Sequence, residues 1–121
     1  MELQAINLNE KLSRFDEPWA PRIIAQMNDV HFKLAKIQGE FIWHQHPETD
    51  EAFFVIKGFM RIQFPDQTIE LARGELCVVP RGVEHRPAAD EECQILLIEP
   101  AGTRNTGDIT DANTQIEELW I

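Results

Sequence analysis

Residues 39–58 read GEFIWHQHPETDEAFFVIKG. His44 and His46 sit two apart in an apolar run, and Glu51 follows five residues after the second. The chain has 4 histidines, so half of them fall in this one stretch. Alternate side chains of an extended strand share a face, so an extended FIWHQH makes His44 and His46 co-facial. Pro47 breaks the strand and the following ETD makes a turn. Glu51 begins the next strand and can return its carboxylate to the same point. Two imidazoles and one carboxylate form a ligand set suited to Zn, Fe, Mn, Ni or Co.

On either side the chain reads as short runs rich in β-branched and aromatic residues: RIIAQM, VHFKLAKI, EFIWH, EAFFVIK, FMRIQF, TIELA, ELCVV and CQILLIE. Turn signals (QG, KG, PDQ, RG, PRG) separate them. Eight short strands at near-even spacing predict an all-β barrel or sandwich. Before them, NLNEKLSRF places Leu8, Leu12 and Phe15 at helical spacing, with Asn7 and Glu10 set for a capping box. The prolines of EPWAP then stop that short helix. After the strands, PAGTRNTGDITDANT reads as a polar, Gly-rich loop, and IEELWI as a last edge strand.

A second stretch, residues 74–85, reads GELCVVPRGVEH. ELCVV is a strand, PRG a tight turn, and His85 opens the strand that follows. An antiparallel neighbour brings His85 beside the first pair. Three neutral imidazoles and one carboxylate then leave two positions of an octahedral ion for water, dioxygen or a bidentate substrate.

The two stretches together resemble the paired motifs of the cupin superfamily. Residues 39–58 carry a Gly, HxH, a Glu and a closing Gly. Residues 74–85 carry a Gly, five residues, ProxGly, two residues and a His. Gly39 lies one residue nearer His44 than in the usual form, and Ala89 stands where an Asn commonly ends the second motif. The chain looks most like the small single-domain RmlC-like cupins loosely labelled mannose-6-phosphate-isomerase-like. The resemblance implies a double-stranded β-helix, a jelly-roll barrel, with a divalent metal held by His44, His46, Glu51 and His85 near one mouth. It implies one domain over residues 1–121. Its barrel core runs from about 22 to 100, with an N-terminal arm over 1–21 and a loop and edge strand over 101–121. Gly58, Gly74 and Gly82 then sit at turns or close backbone approaches.

Composition narrows the partners. With 11 Lys and Arg against 21 Asp and Glu, the net charge is −10, which disfavours nucleic acid and anionic membranes. Cys77 and Cys93 form no CxxC pair and lie in apolar runs, as small buried thiols do. The first residues lack the apolar core of a secretory signal, and no apolar run reaches the ~20 residues that span a bilayer. The expectation is a cytoplasmic protein, and on family resemblance a homodimer.

The expected ligand is a small polar molecule. Arg81 and Arg86 flank His85, although Arg86 should point away if His85 points inward; Arg61, Gln63 and Arg104 are further polar residues to weigh for substrate contact. His31 reads as a surface or interface residue, and Trp43 as facing away from the metal. There are 0 tyrosines, which removes the tyrosine-based mechanisms of some cupin enzymes. Glu48, Asp50 and Glu84 sit in turns with no evident reason for a raised pKa. Three readings remain open: a metal-dependent isomerase, lyase or dioxygenase; a non-catalytic ligand-binding or sensing module; and a structural dimer tied by its metal.

Overall fold

In the computed structural model, which describes residues 3–121, the chain folds into seven strands and one short helix among the described residues. The strands are β1 (Arg22–Met27), β2 (Val30–Glu40), β3 (Glu51–Lys57), β4 (Phe59–Gln63), β5 (Thr68–Ala72), β6 (Leu76–Val79) and β7 (Arg86–Pro100). The helix α1 spans Leu8–Leu12. All the strand pairs are antiparallel.

The spine is β7, 15 residues long. Its first part, Arg86–Ala88, pairs with β4, and its second, Gln94–Ile98, pairs with β3, while β2 runs beside both. The main ladder runs β1-β2-β7-β3-β6, with the β4-β5 hairpin joined through β7. One strand shared by two sets of neighbours rolls the sheet into the expected jelly-roll barrel.

Period-2 alternation fills that barrel. Cys93, Ile95 and Leu97 point inward from β7, Phe53 and Val55 from β3, Met60 and Ile62 from β4, and Ala35 and Ile37 from β2. Removing each large aliphatic side chain from water contributes roughly 2 kcal/mol. The outer face is apolar in part too, and the N-terminal arm covers some of it: Leu12 and Phe15 pack on Ile24 and Leu34. Lys36, also outward, runs along the Phe15 ring and donates from Nζ to the Phe15 carbonyl. The expected cap of α1 is present in one half. Asn7 accepts from the Glu10 amide at 3.0 Å, but the Glu10 carboxylate turns forward to Arg14.

Two expected strands differ. EFIWH does not continue as a strand past Glu40. The Phe41 amide donates to the Pro87 carbonyl at 2.9 Å, but Pro87 has no N–H to return, so the ladder with β7 stops there. The chain then touches its neighbour only through a bridge between His44 and His85. At the other end, IEELWI forms no full strand: Trp120 bridges Ile23 in parallel and adds a single contact to the edge of β1. No described helix is long and apolar enough to cross a membrane.

Gly58, at φ +99°, makes the β3–β4 turn against β7: a Cβ there would lie 3.1 Å from both Cys93 Cα and the Glu92 carbonyl oxygen. Gly39 shares the left-handed region at φ +82° but faces open space. Both alanine variants therefore pay the backbone penalty, and Gly58→Ala alone adds the clash. In urea unfolding Gly58→Ala is expected to be less stable than Gly39→Ala by about 1 kcal/mol or more; equal midpoints would contradict the close approach.

Candidate metal centre

The four candidate ligands converge. His44 and His46 lie on the irregular segment after β2, Glu51 at the first position of β3, and His85 just before β7. One ligand atom from each lies within 4.8 Å of every other, and all four residues are buried. The expected FIWHQH strand is absent, yet the co-facial pair survives because a backbone bridge stands in for it. The His44 amide donates to the His85 carbonyl at 3.0 Å, and the His85 amide returns to His44 at 2.9 Å. That reciprocal pair sets the two ring centroids 4.4 Å apart.

Further backbone contacts hold the HQH segment in place. The Gly82 amide donates to the His46 carbonyl at 2.9 Å, and the Asp108 amide to the Gln45 carbonyl at 3.1 Å. Gly107 presses directly on Gln45; a Cβ at that position would collide with the Gln45 carbonyl. The C-terminal loop is thus a wall of the site, a role its polar composition did not reveal.

The imidazoles are prepared for a cation. Nδ1 of His44 donates to the Ile42 carbonyl at 3.0 Å, and Nδ1 of His85 donates to the Val83 carbonyl at 2.9 Å. A carbonyl can only accept, so both rings carry their proton on Nδ1 and expose a lone pair on Nε2. Burial, followed by the nearby charge of His85, lowers the His44 pKa to about 4, against the opposing influence of the Ile42 carbonyl and Glu51. Glu51 Oε1 lies 3.3 Å from His46 Nε2 and 3.4 Å from His85 Nε2. None of these three atoms has a hydrogen-bond partner, although all are buried. Leaving one such group unsatisfied costs roughly 1–3 kcal/mol. A divalent cation among them would satisfy all three at once, so the residues present fit a metal.

Glu51 has one more neighbour, which sequence reasoning missed. Burial alone would raise its pKa, but the Glu99, His46 and His85 side chains beside it outweigh that and hold Glu51 well below the usual carboxylate range. Glu99 moves the other way: burial, then the adjacent charge of Glu51, push it well above that range, against the pull of Lys33. The signal was in the alternation. Cys93, Ile95, Leu97 and Glu99 occupy the inward phase of β7, and only the last carries a carboxylate.

The other candidates lie away from the centre. Arg81 is exposed and pairs with Asp50 at 3.5 Å. Arg86 points outward as expected, binding Glu40 at 2.8 Å and Gln63 at 2.6 Å, with Trp43 stacked under it. Arg61 pairs with Asp90, and Arg104 donates to the carbonyls of Gly107 and Ile109. Glu48 and Asp50 are exposed and Glu84 half-buried. His31 is a correction: it is buried on the inner face, its ring edge-on to Trp120 and 3.2 Å from Gln26 Oε1. It shares that face with Lys33, Ala35 and Ile37, and the alternation of β2 turns all four inward.

A small cavity of about 40 Å³ reaches His44 and Glu51 between Trp19, Phe41, Phe53 and Glu99. Trp19 and Phe41 stack over it at 4.6 Å. A larger cleft of about 440 Å³ under the C-terminal segment touches none of the four ligands, while another of about 430 Å³, between the Pro47–Thr49 turn and the C-terminal loop, reaches His46.

Comparison with known proteins agrees with this geometry. The cupin domain family matches residues 30–99. This chain is a cupin. A cupin-2 domain containing protein from Shewanella frigidimarina is 56% identical, with a TM-score of 0.78 over 78% of this chain and 93% of that one. Protein NMB1881 from Neisseria meningitidis is 34% identical, with a TM-score of 0.75 over 81% of this cupin and 100% of that chain. Among curated proteins, the uncharacterized protein YdbB of Bacillus subtilis is 39% identical over 64 residues, which span 52% of this cupin and 57% of that relative.

The low pKa of His44 predicts a pH dependence in the metal-free protein. Unfolded, His44 takes a proton near the usual histidine value of 6.5; folded, it resists until about 4. The unfolded state therefore binds more protons across this window, and stability falls as pH drops through it, by about 3 kcal/mol in total. Glu99, held high, acts in the opposite sense. The His44 contribution is therefore read by comparing wild type with His44→Ala in urea at pH 7.5 and 4.5. Wild type should lose more stability than the variant on acidification; parallel losses would refute the assignment.

Proposed function

We propose that this cupin holds one divalent transition metal through His44, His46, Glu51 and His85 and presents its open positions to a small molecule. The observation that carries the reading is the convergence of His46 Nε2, Glu51 Oε1 and His85 Nε2, three buried atoms without a hydrogen-bond partner. Three neutral imidazoles and a carboxylate suit iron, nickel, zinc, manganese or cobalt. Bound there, such an ion would supply Lewis-acid polarisation of a ligand oxygen, as an isomerase or lyase needs, or a site for dioxygen chemistry.

The walls refine the ligand class. Trp19, Phe41, Phe53, Ile95 and Leu97 line the small cavity beside His44 and Glu51, and no Arg or Lys side chain does. That favours a compact ligand with an apolar body and oxygen donors over a phosphorylated sugar, which would need cationic partners. A non-catalytic binding module is the second reading, favoured by the exposure of Glu48 and Asp50, which leaves them outside the cavity as bases.

The chain reads as one working domain, its arm and C-terminal segment packed on the barrel. Two free cysteines suit a reducing compartment such as the cytoplasm. A homodimer is the proposed assembly. Leu76 and Val78 on the edge strand β6 are 61% and 54% exposed and continue an apolar outer face through Phe54 of β3. Unpaired apolar edges of this kind call for a cover.

Elemental analysis of untagged protein purified without added metal is expected to find about one transition-metal ion per chain. His44→Ala and His85→Ala should lose it; a folded wild-type chain that takes up no metal would refute the proposal. In sedimentation, Leu76→Glu with Val78→Glu should convert a dimer to monomer. An unchanged sedimentation coefficient would exclude this edge as the interface.

A further inference from the structure

The segment that carries His44 and His46 is held to the β7 side of the barrel by little backbone. After Glu40 it belongs to no strand. Among the described residues, its backbone meets that side through the bond from Phe41 to Pro87 and the reciprocal pair between His44 and His85. So short a stretch of pairing opens more readily than a full ladder. Yet the spacing of two proposed ligands depends on it.

The outer face supplies a second hold at the same level. Carried one step from the His44–His85 pair, the antiparallel register sets Trp43 opposite Arg86. Alternation turns both away from the imidazoles. There the Arg86 guanidinium lies 5.1 Å from the centre of the Trp43 ring. Its Nη2 meets Oε2 of Glu40, the last residue of β2, at 2.8 Å. Its Nε donates to Oε1 of Gln63, the last residue of β4, at 2.6 Å. One planar cation thus ties β7 to β4, to the end of β2 and to the histidine segment. The Arg86 side chain is 27% exposed, so these contacts are partly shielded from water. A lysine ammonium has no flat face to stack and no fork to hold two partners at once.

We propose that Arg86 and Trp43 are positioning residues. Their stack, anchored on Glu40 and Gln63, keeps the His44–His85 bridge closed and presets the spacing of the two imidazoles for the metal. Trp43 is the chain neighbour of His44, and Arg86 of His85, so a shift in either backbone passes directly to a ligand ring. A preset site binds more tightly than one that must be ordered on binding. Loss of outer support of this kind typically weakens metal affinity by about 10–100-fold, and the lower end fits an effect relayed through the backbone. The inference rests on the metal reading above and adds two residues outside the ligand set.

The test uses Co(II), whose visible spectrum reports coordination, with affinity measured by competition against a chromogenic chelator. Arg86→Met and Trp43→Ala should each bind Co(II) roughly 10-fold more weakly than wild type, with an altered spectrum. Arg86→Lys should fall with them, whereas Trp43→Phe, which keeps a ring under the guanidinium, should stay within about 3-fold of wild type. Arg86→Met combined with Trp43→Ala should lose little more than either alone, because both act through one contact. Arg61→Met removes the same charge from an arginine that pairs with Asp90 instead, and should match wild type. Circular dichroism melts identify which variants remain folded. Should Arg86→Met or Trp43→Ala fail to fold, the comparison of Arg86→Lys with Trp43→Phe decides, and equal affinities there would count against the stack. Folded Arg86→Met or Trp43→Ala with wild-type affinity or spectrum would overturn this inference alone, as would fully additive losses in the double variant. Wild-type protein that binds no Co(II) would overturn the metal reading and this inference with it.

Discussion

Two backbone hydrogen bonds between His44 and His85 join the two histidine-bearing segments of this molecule. On one side lies the segment that leaves β2 at Glu40, and on the other the start of β7. Pro87 ends the ladder between them, so nothing else in strand pairing sets the distance between the two imidazoles. The bridge does so without a side chain. It also leaves residues 41–50 free of a continuous strand, which lets Pro47 and the following turn bring Glu51 back to the same point.

Around that bridge the structure concentrates uncompensated polarity. Three buried atoms lack partners, Glu51 faces a second carboxyl, and the apolar rings of Phe41, Phe53 and Phe64 enclose the histidines. A cation that binds only the folded state would stabilise the chain as its concentration rises above its dissociation constant. Thermal stability and metal content should therefore rise together. The same enclosure strengthens whatever electrostatic interaction a bound ion makes, because little water is present to screen it.

Much of this was legible because the decisive signals are local. HxH spacing, a proline, a short turn and a glutamate at the first position of a strand each act within a few residues, and period-2 alternation then places their side chains. The second block worked for the same reason. The early end of EFIWH was not legible, since it depends on Pro87 lying opposite Phe41, a pairing known only from the fold. His31 was misread because a histidine in a polar-looking strand gives no sign of a tryptophan 89 positions further on closing over it. Lys33 and Glu99 were readable in principle as charges in the inward phase of their strands. What each one touches was not, since that depends on three strands meeting at one level. Gly107 carried no signal, because the crowding against Gln45 exists only after the loop has wrapped back.

The carbonyls of Ile42 and Val83 hold the Nδ1 protons of His44 and His85, and each of the twenty residue types has such a carbonyl to offer. The tautomer that makes these rings donors of a lone pair is therefore independent of which side chains stand at positions 42 and 83. Walls of the cavity can be exchanged by mutation while the imidazoles stay correctly protonated. A lineage built on this scaffold can explore new ligands one wall residue at a time, with the centre inherited intact.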